Sequence, residues 1–346
     1  MKRYRILISV LCAVLMLSIC ACSGEVLQTE KPSGSGQLVP NIINPNRPSS
    51  GQFGEGQLGT DEQVTGGNSG GQAGSLLPND AFAGAEHLLT IRVLQTGKSD
   101  CILIKLDSTV ILIDTADADD FGEISDTLES LGIRQIDHLI ITHFDNDHIG
   151  SAAKIIEEFK VAEVYMPNYV RDSGLYRSMM NTLKKYETRT NVHRLNEDTT
   201  ISLPTGSLWI NVSRVYPELS HQDPIPEDSM DNNLSLICGL TLGDFSALFM
   251  GDAERERCED FLVQTQYAGQ YDFVKLPHHG NHNKALRDVL INSEVKYGAI
   301  CSDAFANIEL ELVNLMRNID ALTYYSYNGD LIVRTDGTTV ECTQQR

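Results

Sequence analysis

The sequence is short of cations: 27 Lys and Arg stand against 47 Asp and Glu, a formal charge of -20. That balance excludes an extended basic surface tracking a phosphate backbone, so no stable nucleic-acid complex is expected. No apolar run reaches the ~20 residues that a spanning helix needs. No Cys-x-x-Cys pair occurs, and Cys101, Cys238, Cys258, Cys301 and Cys342 read as buried thiols with room for one disulfide. No internal repeat and no second linker interrupts the chain beyond Ala83, so residues 83–346 form one large domain with its own core.

What is present begins with an address. Lys2, Arg3 and Arg5 precede an apolar run from Ile6 to Ile19, the pattern of a secretory signal. It ends in Ile19-Cys20-Ala21-Cys22, which resembles a bacterial lipobox with Cys22 as the acylated residue; an ordinary cleaved signal is the alternative. More than one acyl chain on Cys22 gives stable anchoring, so residues 1–22 are expected to deliver the protein to the outer, extracytoplasmic face of a bacterial membrane. Residues 23–82 are rich in Gly, Ser, Gln, Asn and Pro with Phe53 and Phe82 as their aromatics. Such a segment buries too little surface to offset its ordering entropy and is expected to be a disordered tether.

From His87 onward, strand and helix patterns alternate. Short apolar runs at His87–Gln95, Cys101–Leu106 and Thr109–Ile113 predict strands, and Gly122–Leu131 has helical spacing. Leu139–Thr142 predicts a buried strand, Ile149–Phe159 a helix and Val161–Tyr165 a strand, followed by an irregular stretch, 168–226, with one helix over Tyr176–Tyr186. A strand pair then covers Leu234–Leu242 and Phe245–Met250, followed by helices over Ala253–Thr265, Lys284–Asn292 and Glu309–Arg317. Strands are predicted at Phe273–Leu276, Ala299–Cys301, Leu322–Ser326 and Asp330–Arg334. The same succession of strand pair, helix and strand occurs twice, which predicts two sheets packed together with helices outside.

The densest chemistry follows Thr142: His143, Asp145, Asp147 and His148 lie within six positions after a buried strand. Alternate side chains at His143 and Asp145 can converge on one ion, and Asp147 and His148 can turn toward a second. Mixed imidazole and carboxylate donors suit zinc first, with manganese or iron also compatible. Asp252 follows an apolar strand and Gly251, where it can act as a ligand or as a helix cap. His278 and His279 end another strand just before Gly280.

The loop resembles the metallo-β-lactamase signature His-x-His-x-Asp-His, with Asp145 in place of the second histidine. That variant is similar to the hydrolase domain of the ComEC family of competence DNA-uptake proteins. The likeness runs from Leu88 to Gly337 through Gly97-Lys98-Ser99-Asp100, Ile111-Leu112-Ile113-Asp114-Thr115, Asn232-Asn233-Leu234-Ser235, Met250-Gly251-Asp252 and Lys275-Leu276-Pro277-His278-His279-Gly280. It implies an α/β (α+β) αββα sandwich of two mixed sheets with helices on the outer faces. It also implies two divalent metal ions held by His143, Asp145, Asp147, His148, Asp252 and one of His278 and His279.

In this reading Asp252 bridges the ions, Asp147 and Asp252 are the catalytic carboxylates, and Asp114 buttresses the metal loop from behind. Asp100 is read as orienting a turn. Other family members supply a further histidine before the bridging Asp, where this chain has Asp231-Asn232-Asn233; Asp231 or Asn233 is the candidate oxygen ligand, or the first ion is weakly held. His193 and His221 read as ordinary surface histidines. The expected activity is hydrolysis of phosphodiester bonds by a metal-activated water, in the manner of a ComEC-like nuclease. The alternatives are another extracellular ester, lactone or amide hydrolase, or a metal-bound surface module without turnover.

Overall fold

The computed structural model describes residues 81–217, 219, 224–225 and 230–345. The segment expected to be a signal, Cys22, the expected tether up to residue 80 and His221 lie outside the described residues. Phe82, assigned above to the tether, is buried, and the Arg334 guanidinium lies over its ring.

The first half contains β1 (Leu89–Val93), β2 (Ile102–Leu106), β3 (Thr109–Ile113), α1 (Phe121–Ser130) and β4 (Gln135–Ile140). It continues through α2 (Asn146–Ile149), α3 (Ala152–Glu158), β5 (Lys160–Pro167), α4 (Gly174–Lys185) and β6 (Asn191–Leu195). The second half has β7 (Thr199–Ser202), β8 (Gly206–Asn211), α5 (Met230–Asn233), β9 (Ile237–Leu242), β10 (Phe245–Phe249) and α6 (Arg255–Val263). Then come β11 (Phe273–Lys275), α7 (Lys284–Asn292), β12 (Tyr297–Ile300), α8 (Leu310–Asn318) and β13 (Leu322–Tyr325), before β14 (Asp330–Thr335) and β15 (Val340–Gln345) return to the first sheet. The sheet orders are β15-β14-β1-β2-β3-β4-β5-β6 and β13-β12-β11-β10-β9-β8-β7. In both sheets an antiparallel block turns parallel, at β3 in the first and at β10 in the second. This is an αββα sandwich of two mixed sheets, the architecture that the resemblance implied.

Period-two alternation explains the layering. In β3, Ile111 and Ile113 face the second sheet, where they meet Leu240, Ala247 and Phe249, while Leu112 faces the outer helices with Leu139 and Ile155. On the far side, Leu248 and Val274 carry α7 and α8 through Leu286 and Leu312. Each of these fully buried aliphatic side chains contributes roughly 1.5–3 kcal/mol relative to exposure. The five cysteines among the described residues are free thiols, four of them buried.

Several elements differ from the sequence expectation. The irregular stretch contains the strands β6, β7 and β8; exposed polar positions in the first two (Asn191, His193, Thr200, Ser202) weaken their apolar pattern. β15 was not expected either, for the same reason. The helix expected from Ile149 to Phe159 is α3, starting at Ala152, with a separate short helix α2 before it in the His143 loop, and the strand expected from Leu234 begins at Ile237. Gly150 sits between α2 and α3 because a Cβ there would lie 2.4 Å from the Asp117 carbonyl carbon.

One buried cation fixes the segment leading into β9. Arg257 on α6 is fully buried and donates from Nε to Ser235 O at 2.8 Å, from Nη2 to Asn211 O and Oδ1, and from Nη1 to Asp260. Ser235 in turn accepts from Asp252 N through its hydroxyl. The helix, the segment and the Asp252 turn therefore move as one piece.

Candidate metal centre

Four strand ends deliver the centre. Asp114 follows β3, the His143 loop follows β4, Asp252 follows β10 and His279 follows β11. The Asp114 carboxylate is buried and accepts from Thr142 N at 2.8 Å, from Thr142 Oγ1 at 2.7 Å and from His148 Nδ1 at 2.8 Å. It thereby holds the loop and fixes the His148 tautomer, leaving Nε2 to face Asp252 Oδ1 at 3.2 Å. The loop is pinned to the second sheet as well, since Leu236 N donates to Thr142 O. Gly251 has φ +52 and its position crosses the loop so closely that a Cβ would lie 3.0 Å from Thr142. Only glycine combines that backbone with that approach.

The donor atoms converge. His279 Nε2 lies 3.2 Å from Asp147 Oδ2 and 3.1 Å from Asp252 Oδ2. Asp147, His148 and His279 form one group of mutually close donors, and His143, His148 and Asp252 form another. The His143, His148 and His279 Nε2 atoms and Asp252 Oδ1 are all buried without a hydrogen-bond partner among the described residues. Buried polar atoms are normally satisfied, so donors this close that share no hydrogen bond fit a cation between them. His279 is held by its other nitrogen, Nδ1, 3.2 Å from Cys301 O. It sits at φ 54, and His278 at φ 47, a left-handed pair that costs backbone energy and is held by the surrounding contacts.

The electrostatics follow from the packing. Burial opposes charge on His148, but Asp252 and Asp114 outweigh it and raise its pKa well above the ordinary imidazole value. His279 behaves alike: burial is outweighed by Asp252 and Asp147, which lift it to about 9. Burial pushes the Asp147 carboxyl up, yet the His279 and His148 rings hold it at about 2. Burial and the neighbouring His148 push His143 well below the imidazole range, leaving it a neutral donor. A divalent ion binding here displaces the protons of His148 and His279, so binding releases acid.

The remaining candidates fall in different places. Asp145 Oδ2 is 3.8 Å from His143 Nε2, while its Oδ1 is 3.2 Å from Arg171 Nη2. Asp231 is buried beside it, accepting from Phe144 N at 3.2 Å and lying 3.1 Å from Arg171 Nε. Asn233 is not a ligand: its Oδ1 accepts from Arg257 N and its Nδ2 donates to Glu256, so its amide is committed to the start of α6. Of the two adjacent histidines, His279 enters the cluster and His278 turns to Glu254, with Nδ1 3.2 Å from Oε1. His193 stacks on Tyr165 and pairs with Glu163 at the sheet margin.

Two buried charges under the centre were not anticipated. Asp100 does more than orient a turn: it is fully buried and paired with Lys275 Nζ, which is fully buried too. Lys275 Nζ lies 4.0 Å from Asp252 Oδ1, and its carbon stem fills the floor between the sheets. A lysine inside the apolar run Phe273-Val274-Lys275-Leu276 was the available signal, because such a charge is buried only when paired. Asp114→Asn leaves the fold intact but weakens divalent-ion affinity by about 10–100-fold, measured by competition with a chromogenic chelator. An unchanged affinity would contradict the orienting role of this carboxylate.

The chain is similar in part to known proteins. Residues 94–214 match the family model described as the metallo-beta-lactamase superfamily. ComE operon protein 3 of Bacillus subtilis strain 168 is 26% identical over 154 residues, covering 44% of this chain and 18% of that protein. The chain thus spans less than a fifth of the relative's length. The metallo-beta-lactamase fold protein YhfI from Bacillus subtilis superposes with a TM-score of 0.45 at 10% identity, covering 75% of this chain and 100% of that one. CmlA, a diiron β-hydroxylase from Streptomyces venezuelae, gives a TM-score of 0.44 at 13% identity over 74% of this chain and 54% of its own. Residues 94–214 are thus similar to the metallo-beta-lactamase superfamily, and the described residues include His and Asp groups that could hold a metal ion.

Proposed function

We propose that the protein is a metal-dependent hydrolase of phosphodiester bonds. The observation that carries the metal reading is the convergence of the unpartnered His143, His148 and His279 Nε2 atoms on the two oxygens of Asp252. Divalent ions held there supply Lewis acidity and raise the acidity of a coordinated water toward neutral pH. The chain's own residues do the rest. Asp252 joins the two lobes, Asp114 holds the His148 ring in one tautomer, and Asp147 places a second carboxylate at the open side, where its side chain is 27% exposed. His278, next to His279 and left outside the cluster, has its Nδ1 3.2 Å from Glu254 Oε1 and a side chain 21% exposed, and is the group available to give a proton to a departing oxygen.

The choice of phosphodiester over other esters is supported by the ComEC-like order of motifs and the Asp145 variant of the loop. It is tested by turnover of bis-p-nitrophenyl phosphate and single-stranded DNA against p-nitrophenyl acetate and a simple lactone. Phosphodiester turnover that stops with a chelator and returns with manganese or zinc supports the proposal. Turnover confined to the carboxylic ester or lactone moves the activity to the other class.

We further propose that acylation of Cys22 holds the protein on the outer face of a bacterial membrane, the tether setting its reach. The basic start, apolar run and lipobox-like ending support this. Cys22→Ala is expected to shift the protein from the membrane fraction to the soluble fraction on immunoblots, and membrane retention of that variant would sink the anchor.

A further inference from the structure

The His143 side of the cluster contains a cation of its own. Arg171, just beyond β5, reaches Asp231 Oδ2 with Nε at 3.1 Å and Asp145 Oδ1 with Nη2 at 3.2 Å. Its side chain is 12% exposed, and Asp231 is fully enclosed. The other Asp231 oxygen is taken by Phe144 N. Asp145 and Asp231 are the residues that the loop pattern and the missing histidine offered as oxygen ligands, and both are engaged by one guanidinium. We propose that Arg171 makes the two metal lobes unequal: an ion binds tightly at Asp147, His148, His279 and Asp252, and a second binds weakly at His143 in competition with this arginine.

The physical argument has two parts. Guanidinium stays protonated in proteins, so unlike a histidine it cannot leave the lobe by losing its proton as a metal arrives. Its fork also holds both carboxylates: an ion that recruits Asp145 must break the charge-assisted hydrogen bond from Arg171 Nη2, and one that recruits Asp231 must displace its ion pair with Arg171 Nε. On the His279 side no arginine intrudes among the described contacts, and the cation that lies near, Lys275, is paired with Asp100 on the buried side of Asp252. The weak lobe keeps His143 Nε2, the Asp145 Oδ2 atom 3.8 Å from it, and a share of Asp252. Donors therefore remain for a second ion, held at lower affinity.

The inference rests on the metal-binding reading above, and its test separates the two. Calorimetric titration of the full-length, metal-stripped chain with manganese chloride is expected to resolve two steps, with dissociation constants differing by about 10–100-fold or more. Arg171→Ala tightens the weak step by about tenfold and leaves the tight step in place, whereas Arg171→Lys, which keeps the charge, tightens it less. Should Arg171→Ala not fold, Asp145→Asn serves instead: it deletes the weak step and preserves the tight one. Two equal steps in the wild type overturn the inference and leave the hydrolase reading standing, as does an Arg171→Ala weak step that does not move. Absence of any step overturns both.

Discussion

Asp252→Ala is expected to lower phosphodiester turnover by more than about 10³-fold, since loss of a single preorganised electrostatic contact already costs about 10²–10³. The expectation is large because one side chain serves both lobes. Its Oδ1 faces His148 Nε2 at 3.2 Å and its Oδ2 faces His279 Nε2 at 3.1 Å. Burial opposes its charge, yet the His279 and His148 rings outweigh burial and hold its carboxyl well below the ordinary carboxylate range. It is therefore an anion throughout the working pH range. Asp252→Asn, which keeps the shape and removes the charge, separates charge from packing and is expected to lose nearly as much. A folded Asp252→Ala protein that retained more than a tenth of wild-type turnover would show that the centre is not the reacting site.

Lys275→Ala is expected to destabilise the domain by about 3–5 kcal/mol, the usual consequence of removing one partner of a buried ion pair. Burial disfavours its charge, but Asp100 foremost and other neighbours including Asp252 outweigh burial and hold the ammonium's pKa above the ordinary lysine value. Truncation leaves Asp100 buried with no cation, and opens a cavity where the lysine stem lay between the sheets. The double variant Asp100→Leu, Lys275→Met removes both charges together and is expected to lie much closer to the wild type in a denaturant titration. A single-variant loss below about 1 kcal/mol would mean that the pair is hydrated or dispensable, against its complete burial.

Much of this molecule is legible in its sequence because its candidate metal ligands sit at strand ends. The apolar runs before Asp114, His143 and Asp252 announce buried strands, and each terminates in a residue whose chemistry stands out from the run. What stayed hidden has a common cause. Arg171 and Asp231 are separated by 60 residues along the chain yet meet at 3.1 Å, and no local pattern encodes such a meeting. The edge strands β6 and β7 were masked by polar positions at a sheet margin, where one face needs no apolar side chain. Asn233 looked like an oxygen ligand because it lies beside Asp231, but half a turn of helix sends its amide to α6 instead. The choice between His278 and His279 depended on a left-handed backbone at both residues, a geometry their identity does not signal.

The central claim, that this cluster is a metal centre, is tested most directly by anomalous diffraction at the manganese or zinc absorption edge from crystals of the reconstituted protein. The account predicts an anomalous peak bonded to Asp147, His148, His279 and Asp252, with a weaker one beside His143. Crystals soaked at saturating metal that show no anomalous density at these residues would contradict it.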